Sequence, residues 1–288
     1  MVALVVIPLL AALAARAVVL HASAITGSRV AGRVRRTLNA ACFEFGVLVP
    51  AAVIVLAGLS LTTTIMWLLG RLAHALQGPI DWPVWHWLGA HQNQAWTNTW
   101  WHITNMGSPS NTQRLVIVGS VVLALVWRKK LWWLPPLTLC LGYIAEKYGQ
   151  IILKLVVDRG HPPHAAVKFG AIAGTHGTWP SGGCARVLVV YGLIIYFAIR
   201  SYRSGRSSGL WVAGASLLSL SYTTEAYARL NNMEHWFTDV IGGAIFGVLL
   251  LAVLISGAEI VQRATSRRRA GDQASEAASR LPVSAPAP

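Results

Sequence analysis

Charge is what this chain has least of. Only 12 % of its 288 residues are charged, about half the share carried by soluble domains. Acidic residues are the scarcest: 10 Asp and Glu stand against 24 Lys and Arg, for a formal net charge of +14. Cysteine is nearly absent. Cys42, Cys140 and Cys184 are odd in number and lie in or beside apolar runs, which excludes a disulfide scaffold. No internal repeat is visible. No carboxylate cluster or Cys/His ligand set occurs either, so no metal is expected. What abounds is apolar surface, 55 % of all residues, the opposite of the signature of disorder. An integral membrane protein remains.

A helix crosses the roughly 30 Å of membrane hydrocarbon with about 20 apolar residues. Seven stretches qualify, at about 2–24, 43–70, 114–127, 131–157, 182–199, 209–228 and 236–257. Basic residues follow every second one: Arg29, Arg33, Arg35 and Arg36; Arg128, Lys129 and Lys130; Arg200, Arg203 and Arg206; then Arg263, Arg267, Arg268, Arg269 and Arg280. The positive-inside rule places these loops and the C-terminus in the cytoplasm. Charge parcelled between spans in this way serves topology. Nucleic-acid binding would gather it on one face and is not expected. Ala22-Ser23-Ala24 resembles a signal-cleavage site, but no Lys or Arg precedes the apolar run before it, so a retained span is the expectation.

Three segments then face outward. Residues 71–113 are rich in tryptophan (Trp82, Trp85, Trp87, Trp96, Trp100, Trp101), which predicts short helices at the headgroup level. The other two, 158–181 and 229–235, collect polar residues. An ionisable residue inside a span costs about 2.5–3.5 kcal/mol on insertion scales, so Glu146, Arg186 and Glu225 predict a buried ion network that includes Arg229. Arg and Lys together suit a phosphate, Arg as a fork and Lys as a point charge. Pro180-Ser181-Gly182-Gly183 opens a span, where free backbone N–H groups form an anion seat. His235 and Asp239 are four apart and share a helical face. A carboxylate so placed orients an imidazole for nucleophilic work.

These motifs are similar to those of the type 2 phosphatidic acid phosphatase family, which shares its fold with the vanadium haloperoxidases. The family's K-x6-R-P resembles Lys154 to Pro162, its P-S-G-H resembles Pro180 to Gly183, and its S-R-x5-H-x3-D resembles Ala228 to Asp239. The resemblance covers roughly residues 43–257. It implies an all-α integral membrane fold: a six-helix bundle in residues 37–257 and an extra N-terminal transmembrane helix and basic loop in 1–36. The Ala/Ser/Pro/Arg-rich composition from about 264 predicts a disordered basic cytoplasmic tail in 258–288. The resemblance implies that His235 attacks phosphorus to form a phosphohistidine, with Asp239 orienting it. Lys154, Arg159, Ser181, Gly182 and Arg229 would hold the phosphoryl oxygens. The expected substrate is a membrane lipid phosphate, hydrolysed at the extracytoplasmic face without a cofactor.

Three positions depart from the family pattern: His161 stands for Arg, Gly183 for His and Ala228 for Ser. The second-motif His protonates the leaving alcohol in the family, a role typically worth 10²–10⁴-fold. Three expectations follow from Gly183. His161, His164 or His176 supplies the proton; or the substrate is a polyprenyl diphosphate, whose phosphate leaving group needs none; or the chain binds lipid phosphates or a membrane partner without hydrolysing them. A transporter would want midplane sites in two similar halves, and no such halves are present.

Overall fold

A computed structural model describes residues 32–33, 36–37, 40–41, 46–91, 104–163, 177–202 and 208–279. Among the described residues every regular element is helical. The long helices are α1 (Leu48–Ala75), α3 (Pro109–Val126), α4 (Leu134–Val157), α5 (Gly182–Ser201), α6 (Ser208–Asn231) and α7 (Phe237–Ser279). A short helix, α2 (Trp82–Ala90), follows α1 after a π-turn, Gln77–Asp81. The expected span at 2–24 lies outside the described residues, as do Trp96, Trp100 and Trp101.

Local chemistry explains the boundaries. α3 starts five residues before the apolar run, because Ser108 caps it by accepting from the Asn111 N–H (3.4 Å) and Pro109 occupies its first position. Pro135 and Pro136 do not break α4. They stand in its first turn, where a missing N–H costs no hydrogen bond. The segment from 258, expected to be disordered, continues α7 as helix to Ser279. Ala, Glu, Gln and Arg dominate it, all strong helix formers. Its start is also packed: Ala258 and Val261 are buried, and a Cβ at Gly257 would meet Val55 of α1 at 2.7 Å.

The helices alternate in direction. The C-termini of α1, α4 and α6 share one end of the bundle with the N-termini of α3, α5 and α7. Arg128–Lys130, Arg200 and Arg263 belong to the opposite end. α5 is the central helix, 78 % of its apolar window buried, whereas α1 is only 11 % buried and turns its side chains outward. Among the described residues, four helices (α1, α3, α5, and α7 to Gln273) are long and apolar enough to cross a membrane. Gly243 and Gly247 let α7 close on α5: Cβ atoms there would lie 2.5 Å from the Ser181 carbonyl and 2.8 Å from Leu188 Cβ. This contact sets the start of α5 against the first turn of α7. An apolar cleft of about 450 Å³ between α1, α4 and α7, lined by Leu48, Val55, Leu137 and Leu254 among others, opens in the other half of the bundle.

Candidate active site

The Pro180–Gly183 turn, the C-terminus of α4 and the α6–α7 connection meet at the first of these ends. The connection is a Schellman turn. Met233 takes a left-handed φ of 53°, its N–H donates to the Leu230 carbonyl (3.0 Å), and the Glu234 N–H donates to that of Arg229 (3.0 Å). The turn folds Glu234 and His235 back over Arg229. Asp239, in the first turn of α7, accepts from the Trp236 N–H through Oδ2 (3.0 Å), the reciprocal half of a capping box. Its carbonyl also accepts from the Ser181 N–H (3.0 Å). Four sequence-predicted residues, Ser181, Gly182, His235 and Asp239, are thereby gathered around one helix start.

His235 turns its Nδ1 edge toward Asp239 Oδ2 at 3.7 Å, longer than a hydrogen bond, which leaves Nε2 on the far edge of the ring. Burial pushes its pKa below the ordinary imidazole value, against the pull of Asp239, and the nearby cations Lys154 and Arg229 push the same way. The ring is therefore held neutral, the form that can attack. Lys154 lies in the field of Arg186, Glu146, Asp239 and Arg229 without a direct ion pair to any of them. Gly182 has no room for a side chain, since a Cβ would lie 1.7 Å from the buried Gln150 Oε1.

Arg229 is tightly held. Its Nε (2.8 Å) and Nη2 (2.7 Å) grip Glu225 Oε1, and Nη1 grips Glu234. The buried network predicted from the intramembrane charges is present as two ion pairs bridged by one residue, Gly107. Arg186 Nη1 pairs with Glu146 (3.2 Å), Arg186 Nε donates to the Gly107 carbonyl (3.0 Å), and the Gly107 N–H donates to Glu225 Oε2 (3.1 Å). The Glu225–Arg229 pair lies directly against Gly183. A Cβ there would lie 2.6 Å from Glu225 Oε1 and 2.9 Å from Arg229 Nε. The place of the family's second-motif His is thus filled.

Arg159 is placed differently from expectation. It is fully buried behind the site: Nη1 donates to Asp239 Oδ1 (2.5 Å) and Thr238 Oγ1 (2.7 Å), and Nη2 grips Asp81. Two carboxylates engage its Nη nitrogens, so it braces Asp239, while its buried Nε has no hydrogen-bond partner among the described residues. Among the candidate substitute acids, His161 is exposed beside the Glu234 backbone, and partial burial lowers its pKa, which works against proton donation at neutral pH. His164 and His176 lie outside the described residues. Sequence reasoning missed Asp81 and Thr238. Asp81 ends the π-turn among tryptophans, with no motif to mark it.

The fold agrees with two comparisons. Residues 135–261 match the family model described as the PAP2 superfamily. The fold is similar to the crystal structure of the transmembrane PAP2-type phosphatidylglycerolphosphate phosphatase from Bacillus subtilis, at 20 % identity and a TM-score of 0.59, covering 71 % of this chain and 98 % of that one. No curated protein matches the chain significantly. The protein is accordingly an integral membrane protein with a PAP2-type fold, all-helical among the described residues.

Proposed function

We propose that the protein is a phosphatase acting on a membrane lipid phosphate, at the extracytoplasmic surface, through a phosphohistidine on His235. The observation that carries this is the gathering of a neutral, carboxylate-backed His235 with Lys154, Arg229 and the Ser181–Gly182 turn at one end of the bundle. His235 Nε2 forms a bond to phosphorus as the bond to the leaving oxygen breaks. Water then cleaves the N–P bond and releases phosphate. Asp239 steadies the positive charge that the ring acquires. Lys154 and the backbone N–H groups at the start of α5 hold the phosphoryl oxygens. Arg229 joins them as a phosphoryl oxygen replaces Glu234 on Nη1.

Lipid diphosphates fit this site better than monoesters. The space of the family's acid is taken by the Glu225–Arg229 pair, and the His161 pKa is shifted the wrong way for an acid. A leaving phosphate departs as an anion and needs no proton. A second reading, a lipid-phosphate binder without turnover, is favoured by one observation, the closure of Arg229 between two carboxylates. Phosphate release by purified protein in detergent tests both. Phosphatidic acid, phosphatidylglycerophosphate and a polyprenyl diphosphate are offered, with His235→Ala as control. Release that depends on His235 and is fastest on the diphosphate is expected. No release from any of the three, with the lipids still bound, establishes the second reading.

A further inference from the structure

We infer that Asp81, outside the segment matched to the family, is a positioning residue for the nucleophile. The inference rests on the phosphatase reading. Asp81 is 1 % exposed, and four interactions are directed at its one carboxylate group or its immediate partners. Oδ1 accepts the Thr238 N–H (2.9 Å), Oδ2 accepts the Thr238 hydroxyl (2.8 Å), and Oδ2 pairs with Arg159, whose other nitrogen holds Asp239 Oδ1. Trp236 stands at the N-cap of α7 and has no acceptor to offer. Asp81 supplies that acceptor from another part of the chain, taking one of the orphan N–H groups of the first turn. The same carboxylate group therefore fixes the helix start that carries Asp239 and the guanidinium that aims it.

Asp81, Arg159 and Asp239 are all fully or almost fully buried. With two carboxylates and one guanidinium, the triad carries a net charge of −1 behind His235. Uncompensated buried charge of this kind is costly, and the positive charge that the His235 ring acquires as Nε2 bonds to phosphorus would offset it locally. The ring faces Asp239 from α7, Lys154 from α4 and Arg229 from α6. Glu234 precedes it in the chain, and His161 shares the fields of Lys154, Asp239 and Glu234. Lys154 and Arg229 are cations that disfavour charge on the ring, and Asp239 of the triad opposes them. A ring contact strengthens the link: Trp82, the residue after Asp81, packs edge-on against Trp236 (5.3 Å), and Arg159 lies 5.7 Å from the Trp236 ring.

The test is Asp81→Asn in the full-length protein in detergent, beside wild type and His235→Ala. Asn keeps the shape and removes the charge. The expected result is a fall in kcat of about 10- to 100-fold, the usual effect of losing a partner behind the reacting groups, with KM within twofold. The acidic limb of the kcat/KM profile should also move to lower pH, because a less negative triad disfavours imidazolium at His235. Unchanged kcat and limb, with only a lower melting temperature, would overturn the inference and leave Asp81 a structural cap. No phosphate release by wild type would sink the phosphatase reading itself, and release that survives His235→Ala would sink His235 as its nucleophile; both are thereby distinguished from a failure of the Asp81 inference. Where Asp81→Asn does not fold, Asp81→Glu keeps the charge and lengthens the side chain. It should lower kcat and leave the limb in place; wild-type kcat, or a shifted limb, would contradict the inference.

Discussion

Restoring the family's missing histidine should damage this protein. In Gly183→His the new Cβ falls 2.6 Å from Glu225 Oε1, 2.9 Å from Arg229 Nε and 3.1 Å from Arg229 Nη2. These atoms are the two halves of one buried ion pair. Glu225 has little room to withdraw, because Oε2 holds the Gly107 N–H, and Gly107 lies so close to the Gly183 carbonyl that a Cβ on it would approach to 2.4 Å. Arg229 is tied at its other edge to Glu234. Separating a buried pair costs about 3–5 kcal/mol, and partial relaxation reduces this to the 1–3 kcal/mol or so typical of overpacking. If that loss falls on the reacting geometry, it corresponds to roughly 5- to 150-fold in rate. Because the overlap begins at Cβ, Gly183→Ala should lose nearly as much as Gly183→His. Phosphate release and thermal unfolding of both variants in detergent measure the effect. Faster release by Gly183→His at an unchanged melting temperature would refute the reasoning, since it would mean that the space is open and only an imidazole is lacking.

Arg159→Met should lower stability by about 3–5 kcal/mol, because it leaves Asp81 and Asp239 buried without their cation; a phosphate-gripping Arg159 would instead show raised KM at unchanged stability, which thermal unfolding and kinetics separate. Lys154→Ala removes a cation with no salt bridge among the described residues and should lower kcat/KM by about 10- to 100-fold, mostly through KM. The acidic limb of kcat/KM should lie below 6.5, because burial depresses the His235 pKa below that value and attack needs the neutral ring; a limb above 6.5 would show that the Asp239 carboxylate outweighs burial.

The helices were legible because the bilayer imposes a length and an apolar composition on each span, and six of the seven expected spans correspond to described helices. The end of the bundle that holds the site was legible too, since Lys154, Ser181 and His235 stand at helix ends of matching direction. The partners of Arg159 were not legible, because its position in the motif says nothing of them; the two carboxylates that engage it come from residues 81 and 239. Asp81 had no periodicity, spacing or composition to mark it, and only the tertiary contact of the π-turn with α7 gives it a role. The helix at 258–279 was hidden by composition: Ala, Arg and Ser read as disorder, although Ala and Arg are also strong helix formers. Gly183 was visible as an absence, but what fills the space came from Glu225, 42 positions along the chain.

The central claim is that His235 carries the phosphoryl group. Wild type and His235→Ala, in detergent, are mixed with a lipid diphosphate labelled at its terminal phosphorus, and the reaction is stopped in alkali, where a phosphohistidine survives. The account predicts protein-bound label in wild type that is stable in alkali and lost in acid, located on His235 by mass spectrometry, and none in His235→Ala. Phosphate release that persists in His235→Ala, or label found on another residue, would contradict it.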